Sequence, residues 1–81
     1  MLHTIRSVKF YAMIPKPDGT GQEAKSTFFE VGAKVGQATI TELQLEINAD
    51  FVHVIQRQTG GDVKRFIYKV SDVAGRIEIL E

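Results

Sequence analysis

The chain has no cysteine, two prolines, and no apolar run approaching the ~20 residues that a membrane-spanning helix needs. Without cysteine there is no disulfide framework, no thiolate metal site and no thiol nucleophile. The N-terminal residues lack the basic-then-apolar layout of a secretory signal. These absences make the cytoplasm the expected compartment and a membrane an unexpected partner. An excess of either charge is missing too: ten basic residues balance ten acidic ones. Dedicated nucleic-acid binders carry a basic surplus that this chain lacks.

What is present suits one small globular domain over residues 1–81. Hydrophobic content of 43% and charge of 25% argue against disorder. A chain of this size buries only about 60–65% of its unfolded surface, so its stability margin is expected to be about 5 kcal/mol.

Alternation dominates the pattern. Thr4 to Ile14 sets Val8, Phe10, Ala12 and Ile14 on one face and Ser7, Lys9, Tyr11 and Met13 on the other, as a strand requires. Pro15 to Gly21 holds turn-forming residues at nearly every position. Residues 22–36 support two readings. Thr20 and Glu23 fit a capping box, and Ala24, Phe28, Val31 and Val35 recur at helical spacing. Against that, Ser26 to Val31 is rich in β-branched and aromatic residues, and Gly32 and Gly36 would each cost a helix interior about 1 kcal/mol. Strand is favoured. Ala38 to Ile47 alternates again, with Thr39, Thr41, Leu43, Leu45 and Ile47 on one face and Glu42, Gln44 and Glu46 on the other. Asn48 to Asp50 is a turn, Ser71 to Gly75 a bend, and Arg76 to Leu80 a last short strand.

The strongest local signal is the run from Asp50 to Val70. Two β-type segments, Phe51–Gln58 and Val63–Val70, flank Thr59-Gly60-Gly61-Asp62, a hairpin signature in which paired glycines supply positive φ. Phe51 and Ile55 oppose Val52 and Val54, and Val63 and Ile67 oppose Phe66, Tyr68 and Val70. Strands apolar on both faces need a second cover: sheet closure, a helix, or another subunit.

Chemistry-bearing constellations are few. His3 and His53 are fifty residues apart, and neither has a nucleophile or acid at a useful spacing, so no catalytic or metal-ligating set is assigned. Asp18-Gly19-Thr20-Gly21 lacks the Gly-Lys-Ser/Thr ending of a P-loop, and no cofactor motif is present. Glu42 and Glu46 on one strand face lie ~13 Å apart, too wide for paired carboxylate catalysis. Charge is nevertheless grouped. Residues 22–50 carry five acidic and two basic side chains, whereas 51–70 carry Arg57, Lys64, Arg65 and Lys69 against Asp62 alone. Cross-strand pairing is the favoured account of that grouping. The candidate contact residues for a partner are Arg57, Lys64, Arg65 and Lys69, with Phe66 and Tyr68 assigned to the core.

The glycine turns at 31–36, the Thr- and Ile-rich strand after them, and Val52 with Val54 resemble the small five- or six-stranded barrels of SH3-like and secretion- or phage-assembly adaptor domains. The resemblance spans about residues 28–70 and carries over no functional residue.

The expected fold is all-β, a small antiparallel barrel or roll of five to six strands. The alternative is an α+β domain with one helix at about 21–34 on a four- to five-stranded antiparallel sheet. The expected function is a non-enzymatic interaction or assembly module that binds a protein partner or itself, as in a homodimer. Nucleic-acid binding through the basic hairpin 57–69 is the alternative, and a small-ligand or enzymatic domain the third reading.

Overall fold

A computed structural model describes residues 1–81. Eight strands follow in order: β1 (His3–Ile5), β2 (Ser7–Pro15), β3 (Gln22–Glu30), β4 (Lys34–Val35), β5 (Ala38–Ile47), β6 (Phe51–Gln58), β7 (Val63–Lys69) and β8 (Val73–Leu80). A single 3-10 turn, Val70–Asp72, precedes β8. The all-β antiparallel expectation is met. The helix alternative is not: Gln22–Glu30 pairs along its whole length with β2. Gly32 and Gly36 adopt φ of 94° and 65°, which a helix cannot contain.

The strands do not close into a barrel. They form a five-stranded sheet, ordered β1-β5-β6-β7 with β4 also on β5, and a three-stranded sheet ordered β3-β2-β8. The two sheets bury one shared core, in which Val8, Phe10 and Phe29 of the smaller sheet meet Leu43, Leu45, Val52 and Val54 of the larger. Face-to-face burial of alternating side chains is the usual solution for two sheets that each have one apolar face.

The chain moves between sheets at Arg6, whose N–H donates to the Leu80 carbonyl (2.8 Å) while its carbonyl accepts from Val31 N–H (2.9 Å). The expected single strand over 4–14 is therefore two strands in different sheets. The reason is a change of phase. Ile5 points inward, and so do Val8, Phe10 and Ala12, which sit at the opposite parity. A straight strand cannot bury both sets.

A second phase change occurs in β5. Ile40 pairs with Gln58 and Glu42 with Arg57, leaving Thr41 as the extra residue of a bulge. Ile40 is thereby buried with Leu43 and Leu45, and Thr41 is turned out. Its hydroxyl donates to the Arg57 carbonyl at 3.3 Å. The expected face containing Thr39 and Thr41 is corrected by this bulge. In β8, the expected bend at Gly75 is absorbed within the strand: Lys9 faces Glu78 and Tyr11 faces Ala74, with Gly75 at φ 76° in the irregular stretch between.

The local turns follow their residues. Asn48 Oδ1 accepts from the N–H groups of Asp50 (2.8 Å) and Phe51 (2.9 Å), an Asx turn between β5 and β6. In the β6–β7 hairpin, Gly61 N–H donates to Gln58 O at 3.2 Å, and Gly60 and Gly61 hold φ of 91° and 93°. None of the chain's structure is a helix long and apolar enough to cross a membrane.

Candidate interaction surface on the five-stranded sheet

The register of β5, β6 and β7 decides which side chains share the outward face. Val52, Val54 and Gln56 are buried on the inward side, and they pair with Tyr68, Phe66 and Lys64. Phe66 and Tyr68 therefore point inward. Tyr68 meets Phe10 edge-on at 5.0 Å, and Phe66 meets Phe29 at 5.0 Å, each ring bridging the two sheets. Burial raises the Tyr68 phenol above its ordinary range.

The outward face carries Phe51, His53, Ile55 and Arg57 from β6, opposite Lys69, Ile67, Arg65 and Val63 from β7. The four candidate residues are thus divided. Arg57, Arg65 and Lys69 share this face, whereas Lys64 belongs to the inward side and is exposed on the edge strand although its register partner Gln56 is buried. Arg57 is also engaged, its Nε lying 3.0 Å from Glu42 Oε1 on β5. That contact supports the cross-strand account of the grouped charges. Lys64, Arg65 and Lys69 form no ion pair.

Ile55 is only 4% exposed although it lies on the outward face. Gln44 and Arg65 flank it in register, and long side chains of this kind cover apolar surface with their aliphatic stems. Beyond this sheltered point the face opens. Ile67 is 66% exposed, with Val63 at 43%. His53 sits in register between Ile67 and Glu46 of β5, its ring in an edge arrangement with Phe51 at 6.1 Å and its Nε2 buried without a hydrogen-bond partner. Ile67 is the surface residue that sequence reasoning missed. Its apolar character on the face opposite Phe66 was visible, but not that β7 would be an edge with nothing beyond it.

Elsewhere the geometry offers little chemistry. No three His, Cys, Asp or Glu side chains converge as metal ligands would. A groove of about 280 Å³ lies at the opposite side of the sandwich, between β1, β5 and β8, lined chiefly by Ile5, Leu45, Ile47 and Ile79. Asp18 accepts from the Thr20 hydroxyl (2.7 Å) and backbone N–H (3.0 Å), and those bonds lower its pKa. They tie a turn together and assemble no phosphate cradle.

Comparison with known families adds one relationship. The family model described as Enterobacteria phage T3 gene 1.05 protein matches residues 4–81. The chain belongs to that family. The match takes in every strand but the first residue of β1, so the family is coextensive with the two-sheet fold. The family description names a phage gene product and not an activity. No curated protein and no solved structure matches the chain.

Proposed function

We propose that this phage-family protein is a non-enzymatic interaction module that binds a protein partner or a second copy of itself through β7 and the outward face beside it. The observation that carries this reading is the edge itself. β7 pairs with β6 alone, and it presents the exposed Ile67 between Arg65 and Lys69, two cations without ion-pair partners. An exposed apolar side chain on an edge strand is a common element of recognition by strand addition.

Nucleic-acid binding at 57–69 has Arg65 and Lys69 in its favour. Against it, the two rings of the hairpin segment itself, Phe66 and Tyr68, face the core, and Arg57 is held by Glu42.

The test is a comparison of tagged wild-type protein with the Ile67→Asp, Arg65→Glu double variant in phage-infected cells, alongside light scattering of both. The proposal expects either a defined wild-type oligomer or a specific protein retained at least tenfold better by the wild type. A wild-type monomer that retains nothing more strongly than the variant would overturn it.

A further inference from the structure

The edge of β7 has a hydrogen-bonding phase, and that phase selects the kind of partner. Two bonds bracket the β6–β7 ladder: Gln58 N–H to Asp62 O at 2.9 Å, and Val70 N–H to Asp50 O at 3.0 Å. Bonded pairs in an antiparallel ladder recur at every second residue. Residues 64, 66 and 68 therefore aim their N–H and C=O groups at β6. The backbone groups of Val63, Arg65, Ile67 and Lys69 aim at the open side, where no strand lies. These are the same four residues whose side chains share the outward face. One row of backbone donors and acceptors thus coincides with an alternating series of side chains: apolar, cationic, apolar, cationic.

From this coincidence we infer that β7 receives an extended acidic peptide segment of a partner protein as an added strand. Resting on the interaction-module reading, the inference assigns the partner's chemistry. A strand laid on β7 places its alternate side chains directly opposite those of Arg65, Ile67 and Lys69. The matching signature is an acidic residue, any residue, an apolar residue, any residue, and a second acidic residue. Charge complementarity selects an acidic segment. Lys64, Arg65 and Lys69 are unpaired cations on this one strand, which holds no acidic residue; Asp62 and Asp72 flank it outside its ends, and neither forms an ion pair with them. A second copy of β7 is disfavoured by the same charges, because juxtaposed edges would bring cations of one sign together. A phosphate backbone satisfies the cations but leaves the row of open carbonyls and the exposed Ile67 without a match.

The experiment uses the full chain, isotope-labelled, with a seven-residue capped peptide bearing glutamate at its second and sixth positions, valine at the fourth and threonine elsewhere. Backbone amide exchange is followed residue by residue. On addition of peptide, exchange at Arg65, Ile67 and Lys69 is expected to slow at least tenfold, with that of residues 64, 66 and 68 unchanged. Two N-methylated peptides then separate strand addition from simple charge attraction. Methylation of the amides facing β7 is expected to weaken binding at least tenfold, whereas methylation of the alternate amides leaves it within twofold. A peptide with lysines replacing its glutamates is expected to bind at least tenfold more weakly.

No binding at millimolar peptide, equal effects of the two methylation patterns, or displacement of the peptide by equimolar oligothymidylate would each overturn the inference. So would concentration-dependent protection of the odd-numbered amides without peptide, which would assign the edge to a second copy. If the peptide fails while the Ile67→Asp, Arg65→Glu variant still loses its cellular partner or its oligomer, the inference falls and the interaction module stands.

Discussion

The sandwich has two open sides, and they are finished differently. On one, β7 of the larger sheet lies over β3 and β2 of the smaller, and the space between is filled by rings: Phe66 on Phe29 and Tyr68 on Phe10. On the other, β1, β5 and β8 leave the groove of about 280 Å³ lined by Ile5, Leu45, Ile47 and Ile79. The chain crosses between sheets at Arg6, so backbone continuity joins β1 to β2. From β7 the chain crosses as well, through Val70–Asp72 into β8, and on that side the rings add side-chain contacts between the layers. Chain crossings serve both sides, so what separates them is packing: large aromatics fill the space on one, and the other keeps an open groove.

The comparison breaks most readily at Phe10. This residue is 1% exposed, belongs to the middle strand of the smaller sheet, and supports the ring of Tyr68. Phe10→Ala is expected to cost about 3–5 kcal/mol, the range for a buried aromatic whose cavity only partly collapses. With just 14 of 81 residues buried, there is little core to redistribute that loss, and it approaches the whole stability of a small domain. Chemical denaturation gives the measurement. A loss below about 1 kcal/mol would mean that the rings do not hold the two sheets together.

A gentler probe of the same side is pH. Tyr68 has its phenol pKa raised from 10.0 by burial. The folded state therefore retains that proton where the unfolded chain releases it. Its contribution to stability is full below pH 10 and is lost as pH rises through the folded value. Melting temperature is expected to fall in that alkaline window, and Tyr68→Phe is expected to flatten the fall. Equal alkaline slopes for the two proteins would show that this ring is not sheltered by Phe10.

How far these features could be read from the residues depends on whether the information is local. The Gly60-Gly61 turn, the Asn48 turn and the inward face of Val8, Phe10 and Ala12 each depend on a few adjacent residues, and all were legible. The break at Arg6 and the bulge at Thr41 were harder, because each is a change of alternation phase that a strand pattern smooths over. In both places the trace was present: Ile5 lies out of phase with Val8, and Ile40 out of phase with Leu43. Closure was misjudged for another reason. Apolar residues on both faces of β6 and β7 suggested a covered second face, whereas Ile55 is sheltered by its neighbours' side chains and Ile67 is left exposed. At the candidate surface, Arg57, Arg65 and Lys69 could be placed together by alternation. The position of β7 at an edge could not, since sheet order is a property of long-range pairing and not of the strand's own residues.

The smallest expected effect belongs to the groove side. Ile79 pairs with Val8 across the β2–β8 ladder and lines the groove, yet it is 43% exposed. Truncating it removes methyl groups that already border open space, so no closed cavity forms and the cavity part of the usual penalty is absent. Ile79→Ala is expected to cost less than about 1 kcal/mol, well below Phe10→Ala although both residues lie in the smaller sheet. The measurement is the same denaturation experiment, run in parallel. A cost near that of Phe10→Ala would reverse the comparison: the groove would then be a tightly coupled part of the core, as dependent on close packing as the ring-filled side.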